Sequence, residues 1–260
     1  MRRGFTLVEV LLSLAIMGMV VVAVGVLTQT AYQANEHTQA VGTATQHARV
    51  AIQRITRMAN SAYAVDAEPG IAVIEHVGGE TVPTTLVVWS PPGDPQNADG
   101  PPLVGELVFF TPNPNDPTEL WELNEPGDSR TQSLTTINSS SGRTLLAGLK
   151  ASSTATKRVV MRRMQTVTIS ANVIPLLRFS TQLRPSESEW AQLEVGGLDW
   201  EDASWPQSMF TDDWGLRSTF VQIEAWMSIA PASNPNAGAE EHSLPFFGAT
   251  TMFYRVTPPS

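Results

Sequence analysis

The side chains able to hold a charge, a proton or a metal are unevenly spread over the 260 residues of this chain. There is no Cys, which excludes disulfides, thiolate zinc sites and Cys nucleophiles together. The four His (His37, His47, His76, His242) are scattered, and His37 and His47 fall on different faces of any helix that holds both. Two loops gather hard oxygens, one with Asp94, Gln96, Asn97, Asp99 and Gly100, the other with Asp116 and Glu119. Neither has EF-hand ligand spacing with its terminal bidentate Glu, so no metal and no cofactor is assigned. No nucleophile elbow, phosphate loop, Rossmann fingerprint, HExxH pair or kinase signature occurs, and no residue is assigned a catalytic role.

Three charged features remain. Glu9 is the one strongly polar residue within the run FTLVEVLLSLAIMGMVVVAVGVL, residues 5 to 27. Between Pro185 and Gly215 stand eight acidic residues, no basic one and four Trp: Trp190, Trp200, Trp205 and Trp214. Indole anchors beside acidic rims suit a partner contact, and the same rings equally suit capping a sheet. Lys150, Lys157, Arg158, Arg162 and Arg163 form the opposite block, able to meet the acidic one or to be a solvated face. Overall the 16 basic and 25 acidic residues give a net charge of −9, against the dense Lys/Arg surface that nucleic acid requires.

The elements that carry these residues divide at proline. Residues 1 to 68 contain none, and all 19 lie from Pro69 onward. Since proline removes a donor from a helix interior and clashes with the preceding turn, the pattern predicts a helical stalk joined to a non-helical head. The 23-residue apolar run would span ~35 Å as a helix, enough to cross a hydrocarbon core of about 30 Å. Arg2 and Arg3 precede it and no charge follows until Glu36, so the positive-inside rule predicts a single-pass protein with its N-terminus in the cytoplasm and its head outside. No small-x-small cleavage site follows the run, as an ordinary secretory signal would have.

What precedes the run is distinctive: a basic leader, Gly4, then Phe5, Thr6, Leu7, Val8 and Glu9. This string resembles the signal of type IV pilins and type II secretion pseudopilins. The resemblance implies that a prepilin peptidase cuts after Gly4, that Phe5 becomes a methylated N-terminus, and that Glu9 pairs with the terminal amine of a neighbouring subunit. It also implies residence in the bacterial inner membrane before assembly into a filament. A carboxylate inside a bilayer costs about 3 kcal/mol on insertion scales, so a partner that neutralises it only in one axial stagger turns that cost into a register signal.

Beyond the run, Ala44, Ala48, Ala51, Ile52, Ile55, Met58, Ala59 and Ala62 recur at intervals of three and four, predicting one helix from about Phe5 to Ala62. From Pro69, strand-length apolar segments alternate with turns: 71 to 77, 85 to 89, 106 to 110, 120 to 123, 167 to 173, 176 to 179, 220 to 229 and 246 to 256. Val221, Ile223, Ala225, Met227 and Ile229 alternate with Gln222, Glu224 and Ser228, the period of a half-buried antiparallel strand. The expected fold is therefore α+β and pilin-like, a long N-terminal helix packed on a predominantly antiparallel β head. Its expected parts are a leader (1–4), a membrane or filament-core helix (5–27), an amphipathic stalk (28–68) and an extracytoplasmic head (69–260). The strings GELVFFTPNPNDPTELWEL and FVQIEAWMSI further resemble J-type minor pseudopilins and W-type minor pilins.

The function these expectations imply is a noncatalytic minor subunit whose partners are other pilin or pseudopilin subunits, the prepilin peptidase and membrane lipid. The alternatives are a membrane-anchored extracytoplasmic enzyme or binding module, and a pilus-borne adhesin. Cleavage after Gly4 removes Arg2 and Arg3 and takes the net charge from −9 to −11. The intact mass of membrane-extracted protein should begin at Phe5; a chain that keeps residues 1 to 4 in assembled material, or is cut after Leu27, contradicts the filament reading.

Overall fold

The computed structural model describes residues 6–77, 81–169, 172–203, 215–229 and 243–256. Helix α1, Leu7–Asn60, is 54 residues long and so ~81 Å at the α-helical rise. Along its first half every side chain is exposed. From Ala40 onward a row of small residues, Ala40, Ala44, Ala48, Ala51, Ile55 and Ala59, is buried against the head. Alanine at the contact lets the helix backbone approach a sheet closely, and Ile52, Met58 and Ala62 flank the row half-buried.

The head holds antiparallel sheets. Strands β1 (Ile71–Val77), β2 (Thr81–Trp89), β3 (Leu107–Pro112), β4 (Leu120–Asn124) and β5 (Thr156–Met161) form a five-stranded meander in chain order. Strands β6 (Thr166–Ile169) and β7 (Asn172–Pro175) make a separate hairpin. Strands β8 (Leu177–Arg184), β9 (Gly215–Ser228) and β10 (Ser243–Val256) form a three-stranded sheet with β9 in the centre, and β9 and β10 pair over their full 14 residues. The side chains of β9 at Val221, Ile223, Ala225, Met227 and Ile229 are buried, as their alternation predicts.

Two expectations are corrected. The head is not free of helix: α2, Ser140–Ala151, and α3, Glu187–Glu194, lie within it. Both occupy windows without proline, α2 between Pro126 and Pro175 and α3 between Pro185 and Pro206. The segment expected as one strand from Val167 to Val173 is the β6–β7 hairpin, with Ile169 opposite Asn172.

Two apolar clusters follow from this layering. One lies between α1 and the inner faces of both large sheets and includes Ile55, Leu86, Phe110, Phe179, Ile223 and Met252. The other lies on the opposite face of the five-stranded sheet under α2, with Trp89, Phe109, Leu123, Ile137, Leu146 and Leu149. Because that sheet is covered on both sides, β3 reads as an unbroken apolar run, with Leu107, Val108, Phe109 and Phe110 all buried. Buried carboxylates are satisfied locally: Glu106 accepts from Trp89 Nε1 at 3.0 Å and from the Gln96 amide at 2.8 Å, and Glu68 accepts from the Leu134 amide at 2.7 Å.

Polar contacts orient the stalk on the head. Arg54 forks onto Glu122 of β4, Nε to Oε2 at 3.0 Å and Nη2 to Oε1 at 2.7 Å. Asn60 bonds Thr250 of β10. With Arg54 36% exposed, the ion pair is solvent-screened and contributes on the order of 1 kcal/mol or less, so packing rather than charge holds the helix down. The tightest contact is at Gly248, where an added Cβ would stand 2.5 Å from Ile52 Cγ2. Gly248→Val should therefore destabilise the protein by about 1–3 kcal/mol, through overpacking, and lower its thermal midpoint in detergent. An unchanged midpoint would mean that α1 does not seat on β10 as described.

Candidate functional site

The carboxylate of Glu9 sits in the first turn of α1. Thr6 is the N-cap, with an extended backbone, and its hydroxyl accepts from the Glu9 amide at 3.4 Å. In return Glu9 Oε2 accepts from the Thr6 amide and hydroxyl, each at 2.9 Å. This reciprocal capping box satisfies donors that a helix start leaves open. The Ser13 hydroxyl donates to the Glu9 carbonyl at 2.7 Å, hiding its own polarity within the helix. Glu9 Oε1 has no partner among the described residues, and exposed Leu7, Val8, Val10, Leu11 and Leu12 surround it. A negative oxygen fixed on an apolar helix surface can accept a cation. Gly4 and Phe5 lie outside the described residues.

Residues 1–25 match the family described as the prokaryotic N-terminal methylation motif. The matched span contains Gly4, Phe5 and Glu9, so the chain carries a type IV pilin- or pseudopilin-like prepilin signal. With the long apolar helix behind it, this motif supports a pilin-like subunit anchored in a membrane by one span, processed as a prepilin and assembled with other pilin subunits. The match ends at residue 25, before the strands of the head. No curated protein and no solved structure is significantly similar to the chain.

Of the four Trp of the acidic block, only Trp190 has a described side chain. Trp190, on α3, is only 8% exposed. Its ring lies beneath the Arg217 guanidinium, 4.9 Å away, and its Nε1 donates to Glu194 Oε1 at 3.0 Å. Trp200 falls in the 3-10 turn Trp200–Asp202, while Trp205 and Trp214 lie outside the described residues. Ser186 and Glu189 close a second capping box at the start of α3. The residue missed from sequence is Arg217, which is buried, donates to Glu187 Oε1 at 3.1 Å and stacks on Trp190. Two members of the acidic block, Glu187 and Trp190, thus meet a buried cation that stands just past its end.

The basic block is dispersed. Arg162 pairs with Glu119 at 3.0 Å, and Lys157 donates to the Ser152 carbonyl at 2.7 Å with its ammonium 5.8 Å from the Trp121 ring centre. The second oxygen-rich loop is likewise engaged, Asp116 Oδ1 accepting from the Thr118 amide at 3.0 Å and hydroxyl at 2.6 Å, and Glu119 from Asn113 at 3.1 Å. His47 is half-buried with no partner at Nδ1 among the described residues. Lys150, in the last turn of α2, has burial alone acting on it, which pushes its ammonium down to about 8. Burial pushes the Tyr254 phenol up to about 12, against the opposing field of nearby Arg217.

These two groups set opposite slopes in alkali. Between pH 8 and 10.5 the unfolded chain holds a proton on Lys150 that the folded chain has lost, so stability rises with pH. Between pH 10 and 12 the folded chain keeps a proton on Tyr254 that the unfolded chain has lost, so stability falls. Urea midpoints of the full chain in detergent should climb from pH 8 toward 10 and then decline, and Lys150→Met should flatten the climb. A climb that survives the substitution would assign it to another group.

Proposed function

We propose that this chain is a noncatalytic minor pilin or pseudopilin, with a short cytoplasmic leader, one span in the bacterial inner membrane and an extracytoplasmic head, cut after Gly4 and built into a filament by its N-terminal helix. The observation that carries the reading is the bare first half of α1, apolar on every side and interrupted by one capped carboxylate with an open oxygen. Lipid suits that surface before assembly, and neighbouring helices suit it afterwards. In the filament the amine of Phe5 on an adjacent subunit supplies the cation for Glu9. The pair forms only at one axial stagger, because a shift of one turn, ~5.4 Å, strands both charges in an apolar medium.

A minor rather than principal role is supported by the bulk of residues 69–260 and by proline-rich loops such as 91–102 and 112–117, which suit a position with few neighbours. The capped Glu9 argues for a place below the tip, where a subunit above contributes its amine. Removing the charge should ease insertion and impair incorporation. Quantitative mass spectrometry of membranes and sheared filaments should find Glu9→Ala in membranes at wild-type level or above, and at least about tenfold depleted from filaments, as expected for a buried charge left unpaired. Equal incorporation would remove the register role, and wild-type abundance matching the principal subunit would refute the minor assignment.

A further inference from the structure

A cleft of about 650 Å³ opens on the side of the head away from α1, within the size range of small-ligand sites. Its apolar walls come from Ile74 of β1, Leu146 of α2, Ile174 and Pro175 of β7, Pro112 at the end of β3 and Pro114 just after it. Arg143 and Lys150 both line it from α2. Seven residues apart, they share one helix face at a separation of ~10.5 Å along the axis, within reach of two long side chains. Leu146, between them, lies on the same face.

Neither cation is neutralised. Among the described residues Lys150 makes no ion pair, and its lowered affinity for a proton reflects burial without a counter-ion. The Arg143 guanidinium makes one long bond, Nη2 to Asn138 Oδ1 at 3.4 Å, and its Nε has no acceptor. That Asn138 oxygen already accepts from the Glu75 amide at 2.9 Å. Glu75 also lines the cleft and pairs with neither cation, leaving a lining of two positive charges and one negative. Part-buried cations oppose folding unless something compensates them, and among the described residues only the long Asn138 bond to Arg143 does so here. The charge balance matches a single negative charge. A phosphate dianion would exceed it and meet the repulsion of Glu75.

We propose that the cleft binds an apolar monocarboxylate, its carboxylate held between Lys150 and Arg143 and its body laid against Leu146, Ile174 and the prolines. The shared chemistry is a hydrophobic group ending in a carboxylate, either the C-terminus of a polypeptide or a free acid of similar size.

The full chain in detergent, titrated calorimetrically, tests this with three probes. N-acetyl-prolyl-phenylalanine represents a peptide terminus, 3-phenylpropionate a free acid, and N-acetylphenylalaninamide the same kind of body without charge. At least one carboxylate should bind saturably and the neutral amide about tenfold more weakly or worse, as expected for loss of a charge-assisted bond. The tighter carboxylate identifies the source. Lys150→Met should weaken carboxylate binding about tenfold or more while raising the thermal midpoint of the unliganded protein, a combination that a merely structural lysine would not give. Arg143→Gln should weaken binding to a similar degree. Binding of the amide as tightly as the acids, equal displacement by inorganic phosphate, full binding by either variant, or no binding of any carboxylate would overturn the proposal.

Discussion

The row of alanines on α1 is the constraint on which the remainder rests. A helix of 54 residues cannot bury its whole length on this head, so it must change environment along its axis, and Ala40 marks the change. Beyond that point Ala44, Ala48, Ala51, Ile55 and Ala59 bring the helix onto β9, β10 and β5 closely enough that a Cβ at position 248 would collide with Ile52. Before it, large apolar side chains point outward on all sides, a surface stable only in lipid or among other helices. The two halves need different residues because they meet different partners. Small side chains serve a permanent contact inside the chain, whereas large ones serve an interface that must first tolerate a bilayer.

Within the outward half the capping box prepares Glu9 for a second partner. An N-terminal helix start favours negative charge through its open amides, and Glu9 Oε2 is held there by Thr6 in the chain alone. The other oxygen has no partner among the described residues and stands at a defined height along the axis, so in the proposed pairing a neighbouring amine would not first have to order a mobile side chain. Coulombic attraction then acts in an apolar medium, where misalignment is costly. On the filament role proposed above, this combination is what would let one carboxylate among so many apolar residues encode axial position.

Much of this was legible in the sequence, for reasons specific to each element. The stalk was legible because its small residues repeat at three and four without proline, and β9 because Val221 to Ile229 alternate at period two. Strand β1 matched its expected limits, Ile71 to Val77. Helix α2 was not legible: Gly142 and Gly148 weaken its propensity, and its apolar face is short. Gly142 proves to be required by close approach to the Ile137 carbonyl, so a residue that reads as a helix breaker is a packing device. The proline-free window from 127 to 174 was the available signal, as was Ser186 with Glu189 for α3. At the site, the cost of Glu9 could be read directly, and Thr6-x-x-Glu9 also spells a capping box that its apolar setting obscured. Arg217 could not be read at all, because Glu187 and Trp190 reach it only once β9 returns beside α3.

Arg217 and Lys150 then illustrate what burial of a cation means in one head. Arg217 is surrounded by compensation: a carboxylate at 3.1 Å, a ring at 4.9 Å and the Pro185 carbonyl at 3.4 Å. Its charge is part of the architecture, and removing it would uncover Trp190. Lys150 makes no ion pair among the described residues; it lines a largely apolar cleft with the unpaired Glu75 and a second underused cation on the same helix face. The two lie on opposite terms with folding: the first is retained because its neighbours need it, the second despite its neighbours. A charge that the fold does not compensate is more stable when something outside the fold does, and for Lys150 the open cleft beside Arg143 is where that compensation can enter.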